Sequence, residues 1–424
     1  QALGTMQRSE RRPMMRLPRG IFWSAAGHWT LLGMAGAWTT GRTILSLVRY
    51  PRAGTLGMAD MALDKFQPRS MLQVPEHPLT HAKFPVVDVH VHPRIRLGNS
   101  SDRLDEFVAL MDAQNVAVCV SLDGGLGKPF EAHRDVLWKK YRDRFVIFAN
   151  IDWRGSGTAS NPASWDCHRP DFGRRMALAL AEAKDQGASG LKIFKDLGLT
   201  YKNPDGSRVR VDDPRWDPIW EACGNLGLPV LIHTADPKAF FLPIDATNER
   251  WEELRRHPDW SFHGPGFPSY EELIDQFLAV VKRHPRTQFI GAHVASNAED
   301  LATVGRWLDT YPNLAIDIAA RIAELGRQPY TARAFFIRYA DRILFATDGP
   351  RVAERLQYHW RFLETLDENF PYAENPFPPQ GFWRIHGLGL PDDILRKVYS
   401  ENAERLIGGV KTRLESYADR ASQP

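Results

Sequence analysis

From Phe84 onward the chain alternates short apolar runs with longer amphipathic stretches. The runs are Val86–Val91, Val116–Leu122, Phe145–Ile151, Gly190–Phe194, Pro229–His233, Phe289–His293, Leu314–Ile318 and Ile343–Thr347, eight in all. Each is nearly continuous in Val, Ile, Leu and Phe, which is the pattern of parallel strands buried on both faces. Between the sixth run and the one before it, Leu273, Ile274, Phe277, Leu278 and Val281 recur at spacings of three and four and form one apolar helix stripe. The segments 174–184, 301–308 and 330–339 read as helices in the same way. Eight strand–helix repeats predict an α/β fold, a (β/α)8 TIM barrel over residues 84–410. That span exceeds the roughly 250 residues of a plain barrel, so long βα loops are expected. A doubly wound open sheet usually carries a Gly-rich phosphate turn after its first strand. Here the first strand runs instead into His90-Val91-His92.

The ends of the chain lack this repeat. Arg8, Arg11, Arg12, Arg16 and Arg19 precede an apolar run from Ile21 to Trp38, and Ala35-Gly36-Ala37 has the form of a signal cleavage site. Residues 1–60 are therefore expected to be a signal- or anchor-like segment or a non-native extension, outside the fold. With a signal over 1–37 the protein is exported, periplasmic or membrane-anchored; otherwise it is cytoplasmic. Membrane association is expected only through residues 21–48. Residues 61–83 read as a lead-in and 411–424 as a C-terminal tail. Hydrophobic residues at 43% and charged residues at 25% exclude a disordered chain. Lys+Arg 54 against Asp+Glu 51 gives a net charge of +3, too little for the basic field that holds nucleic acid. Cys119, Cys167 and Cys223 lie far apart, so packing roles are expected rather than disulfides or a thiolate zinc site.

Barrel enzymes gather their chemistry at the C-terminal ends of the strands. Strand one alternates with period two, which puts Asp88, His90 and His92 on one face. Strand five ends in His233, strand six in His293 and strand eight in Thr347-Asp348. Only 14 of 424 residues are His, yet four of them stand at predicted strand ends, and that concentration points to a metal site. Nitrogen-rich donors with one carboxylate suit Zn2+ first, with Mn2+, Fe2+ or Co2+ as alternatives.

Residues 84–407, carrying His-x-His on strand one, His on five and six and Asp on eight, resemble the amidohydrolase superfamily. Within it they resemble the amidohydrolase-related branch of aminocarboxymuconate-semialdehyde decarboxylase-like metal-dependent hydrolases. The segment from Tyr399 to Leu406 looks like the helix that closes members of that branch. The resemblance implies one catalytic divalent ion, with His90, His92, His233 and Asp348 as ligands and His293 beside them handling protons. Two-metal members use a carboxylated Lys or a Glu at the end of strand four. Lys192 stands there, but the related branch often keeps such a Lys in a one-metal site, so a plain ammonium facing substrate is expected and a second metal is not.

A cation in such a site lowers the pKa of water toward neutrality and polarises a substrate oxygen. Asp348 then accepts or orients the water proton, and His293 stabilises charge or protonates a leaving group. The expected activity is hydrolysis of an amide, ester or lactone of a small organic acid. The alternatives are non-oxidative decarboxylation of an aromatic or unsaturated acid, and a barrel that binds metal or ligand without turnover. The long connection after strand five carries Phe240, Phe241, Trp251, Trp260, Phe262 and Phe267 and is expected to form an aromatic lid or a packed subdomain. Lys192, Arg321, Trp251 and Phe241 are the expected substrate contacts, with Arg327 as a further carboxylate receiver and Lys195 solvated.

Overall fold

A computed structural model of the chain describes residues 65, 69–350, 352–373 and 380–422. The chain divides into 1–60 and 61–424. The expectations for 1–60 and for the apolar run 21–48 lie outside the described residues. Among the described residues no helix is long and apolar enough to cross a membrane.

All eight predicted runs form strands: β1 Val86–Val91, β2 Val116–Ser121, β3 Phe145–Asn150, β4 Ala188–Ile193, β5 Val230–Ile232, β6 Phe289–Gly291, β7 Leu314–Asp317 and β8 Ile343–Leu344. They pair in chain order, all parallel. The circle closes where Val89 N donates to Phe345 O at 3.1 Å and His92 N to Gly349 O at 2.7 Å. A (β/α)8 barrel results, and the chemistry-bearing strand ends share one rim.

The last strand is shorter than its apolar run because its later backbone donors bond elsewhere. Phe345 N donates to Val398 O at 2.9 Å, and Thr347 N donates to Asp88 Oδ1 at 3.1 Å. The helices expected at 270–283, 174–184, 301–308 and 330–339 appear as Tyr270–Arg283, Phe172–Asp185, Leu301–Thr310 and Pro329–Arg338. Ser269 caps the first of these by accepting from Glu272 N.

The residues read as a C-terminal tail form a helix, Val410–Ala421. Val410 is buried, and Leu414 and Tyr417 pack on a cluster that draws Val87, Val118, Val146, Leu231, Ile290, Ala315 and Leu344 from seven strands. Arg413 Nε donates to Arg142 O and Phe145 O, and Tyr417 OH reaches Asn115 Oδ1, all at or just before the starts of strands. This helix therefore covers the N-terminal floor of the barrel and leaves the opposite rim open.

Candidate active site

At the open rim, β1 delivers two imidazoles whose orientation is fixed from behind. His90 Nδ1 is 2.9 Å from Asp317 Oδ2, and His92 Nδ1 is 2.6 Å from Asp123 Oδ1. A carboxylate only accepts, so each Nδ1 carries the proton and each Nε2 presents its lone pair to the rim. There Asp348 Oδ1 lies 3.9 Å from His90 Nε2 and 3.6 Å from His92 Nε2. His90, His92 and Asp348 form one group of potential ligand atoms within 4.8 Å of one another, and His90, His293 and Asp317 form a second. His233 belongs to neither group but adjoins the second, its ring 4.3 Å from that of His293. Its Nε2 is buried without a hydrogen bond. Asp236 Oδ1 at 3.4 Å is an electrostatic neighbour too distant for a good one.

His293 does not extend strand six. The ladder stops at Gly291, and residues 293–296 make a left-handed turn with φ of 59°, 59°, 51° and 58°. This conformation costs roughly 1–2 kcal/mol per non-glycine residue, and Val294 is β-branched, so the surroundings must hold it. They do: Asp317 Oδ1 accepts from His293 N at 2.8 Å, Tyr270 OH donates to Ser296 O at 2.8 Å, and Ser296 N returns to Ala292 O at 3.0 Å. A Cβ on Gly291 would lie 2.7 Å from Ala295 Cβ, so only glycine admits the turn. His293 Nδ1 donates to Ala319 O at 2.8 Å, which leaves its Nε2 as an acceptor.

Burial holds His90, His233 and His293 below the ordinary imidazole range; the charge of Lys192 adds to the effect on all three. Their rings are thus kept neutral with lone pairs available. Lys192, itself buried, has Nζ 3.4 Å from His90 Nε2, and burial pushes it down to about 8 against the opposing pull of Asp317, Asp348 and Asp123. Asp88 is pushed up to about 7, mainly by burial, and ties strand one to the end of strand eight through Thr347 N and Oγ1. Burial alone would raise Asp236, but His233 and Lys195 outweigh it and keep it below the usual carboxylate range.

His233 and His293 open into a cleft of about 500 Å3 that is also lined by Asp348, Arg321, Phe240 and Trp260, among others. Of the four expected contacts only Arg321 is in that lining: Lys192 is buried beside His90, and Trp251 and Phe241 turn elsewhere. Trp251 is half-buried, and its ring packs on Arg255 at 5.0 Å. Phe241 packs on Phe262 and Tyr270 at 5.5 and 5.7 Å and lines a separate hollow. The reason is that the β5–β6 connection forms a satellite core from Phe240, Leu254, Phe262, Tyr270, Leu273 and Ile274, and this core draws Phe241 inward. It is a packed subdomain, and Phe240 and Trp260 are the aromatic residues it presents to the cleft. Arg327 is taken by Glu249 at 2.9 and 3.1 Å, and Lys195 pairs with Asp236 in the cleft wall.

Asp123 and Asp317, which orient the rings, were missed by sequence reasoning. The signal was present, since Asp317 ends β7 and Asp123 lies two residues beyond β2. The rule that singled out Asp348, a polar residue at a strand's C-terminal end, would have found both.

The donor set suits a divalent ion on its own chemistry: oriented neutral imidazoles, a carboxylate beside them and an orphaned buried His233 Nε2. A (β/α)8 barrel with such a cluster at its C-terminal rim defines the class of barrel proteins that do their chemistry there. Residues 87–409 match the amidohydrolase family, and the chain belongs to it. Members of this family are enzymes and usually bind a divalent metal. No curated protein matches the chain. Among solved structures, an uncharacterized TIM-barrel protein from Bordetella bronchiseptica is 16% identical, covering 76% of this chain and 98% of that one, with a TM-score of 0.47. A putative amidohydrolase from Staphylococcus aureus is 18% identical over 77% and 100% of the two chains, with a TM-score of 0.46. The 2,6-dihydroxybenzoate decarboxylase from Rhizobium is 18% identical over 78% and 99%, with a TM-score of 0.43.

Proposed function

We propose that this protein is a metal-dependent hydrolase that opens an amide, ester or lactone of a small organic acid. The observation that carries this reading is the meeting of His90, His92 and Asp348 at one point beside His293, whose Nδ1 is anchored and whose Nε2 faces the cleft. One divalent ion, by donor chemistry Zn2+, would be held by His90, His92, His233 and Asp348, where it would acidify water and polarise a substrate oxygen. The chain supplies the rest. Neutral His293 takes a proton from the attacking water at Nε2 and returns it to the leaving oxygen or nitrogen. Asp348, a quarter exposed at the rim, orients that water. Asp123 and Asp317 stop the rings of His92 and His90 from turning.

A second reading, non-oxidative decarboxylation, is favoured by the cations at the same point. Lys192 Nζ stands 3.4 Å from His90 Nε2 and Arg96 Nη2 3.5 Å from Asp348 Oδ1, positions that suit an acid's carboxylate. In that reaction the bond to the carboxyl carbon breaks, its electron pair stays on the substrate carbon, and a proton drawn from water and passed on by His293 Nε2 or Asp348 replaces carbon dioxide.

Metal analysis of the purified protein, with a screen of lactones, esters, amides and aromatic carboxylic acids, tests both. The expected result is about one divalent ion per chain and hydrolysis that chelation abolishes, with His92→Ala lowering metal content and turnover together. Release of carbon dioxide without hydrolysis would select the second reading. Full metal occupancy with no turnover would make this a binding barrel, and absence of metal would overturn the proposal.

A further inference from the structure

Three cations that line the cleft have carboxylate partners. Lys195 pairs with Asp236, Arg250 with Glu253 at 2.8 Å and with Glu324, and Arg96 leans on Asp348 at 3.5 Å. Arg321 differs. It is only 6% exposed and lines the same cleft as His233, His293 and Asp348. Its one side-chain hydrogen bond among the described residues runs from Nη1 to the carbonyl of its neighbour Ala320, at 2.9 Å. No described carboxylate comes within 4.0 Å of it, and Glu299, Asp236 and Glu253 act on it only from farther away.

The backbone holds this side chain in place. Ala320 has a left-handed φ of 54°, Arg321 N bonds to Ile318 O at 3.1 Å, and the buried helix Ile322–Gly326 follows directly. A guanidinium offers five N–H donors in a planar fork that matches a carboxylate edge. Its remaining donors face the cleft with no described counter-ion, in a place largely shielded from bulk water, where an arriving anion would be favoured. Among the described residues the fold thus leaves this cation without a carboxylate partner at the wall of a cavity whose volume suits a small ring-sized acid, next to the apolar surfaces of Phe240 and Trp260.

We infer that Arg321 seats a carboxylate of the substrate remote from the bond that reacts, so that the cleft selects small acids with a second anionic group. The inference rests on the imidazole–carboxylate cluster being the reacting centre. Phe240 and Trp260 contact the body of the molecule, and Arg321 fixes its far end through a two-pronged charge-assisted pair.

Calorimetric titration of the full chain with isophthalate and glutarate, against benzoate and butyrate, tests this. At least one dicarboxylate should bind roughly tenfold or more tightly than its monocarboxylate counterpart, the scale of a charge-assisted hydrogen-bonded pair. Arg321→Gln should erase that preference while leaving monocarboxylate affinity and metal content within about twofold, and Arg321→Lys should keep part of it. The Tm of ligand-free Arg321→Gln should be unchanged or raised, because an uncompensated buried charge has been removed. No preference for either dicarboxylate overturns the inference. So does a variant that loses both affinities equally with a lowered Tm, which would make Arg321 structural. A chain without metal or turnover that still prefers dicarboxylates through Arg321 would sink the proposed reaction but uphold the anion seat. A metal-loaded, active chain with no preference would do the reverse.

Discussion

Asp317 links more of the candidate centre than any residue picked out from the sequence. One of its oxygens accepts from His90 Nδ1, and the other accepts from the backbone N–H groups of His293 and Ala319. Asp317→Asn keeps the shape but turns an NH2 toward a donor, so ring and turn lose their common anchor. Metal affinity should fall roughly 10–100-fold, the usual cost of losing a partner behind a ligand, as read by competition with a chelator. His293→Asn should leave metal content nearly intact and lower kcat by roughly 100-fold or more. Unchanged kcat with full metal would remove His293 from proton handling, and loss of metal in proportion would make it a ligand. His133 gives a pH-dependent stability. Its Nε2 lies 2.8 Å from Ser121 Oγ, and burial pulls it down to about 4. Between about pH 6.5, the unfolded value, and pH 4, the unfolded chain binds a proton that the folded chain refuses. Stability therefore falls as pH drops through that window, and His133→Gln should flatten the decline in denaturant titrations at pH 7 and pH 5.

At the scale of elements, the helical run that precedes the last helix governs the end of strand eight. Residues 392–406 form one helical run with a wide, π-type turn at Lys397–Glu401. Val398 O accepts from Phe345 N there, and Asn402 Nδ2 donates to Ala340 O and Ile343 O at 2.6 and 2.8 Å. The rings of Phe345, Trp360 and Tyr399 pack together with centroids 5.0–5.7 Å apart. Asp348 lies three residues beyond Phe345, so this helix sets where the carboxylate stands. Asn402→Ala leaves two buried carbonyls without a donor. It should lower stability by about 1–3 kcal/mol, seen as a reduced denaturation midpoint with an unchanged m-value.

For the whole molecule, the amidohydrolase match begins at residue 87, well after the first 60 residues. A chain starting at Met61 should keep its far-UV signal and cooperative unfolding, and loss of cooperativity would mean that residues 1–60 pack on the barrel. The sequence by itself determined the barrel, because parallel strands buried on both faces must be apolar without interruption, and eight such runs leave a one-dimensional signature. It also pointed to one rim for His90, His92, His233, His293 and Asp348, since strand ends share it whatever the loops do. Tertiary structure alone decided the rest. Whether Trp251 and Phe241 or Phe240 and Trp260 face the cleft depends on how an irregular connection packs its own core, which has no fixed period. That Lys195, Arg250 and Arg327 are neutralised while Arg321 has no described carboxylate beside it depends on carboxylates that reach them from other segments. A charge is written in the sequence, but its partner is a matter of distance, and only the folded chain sets distances.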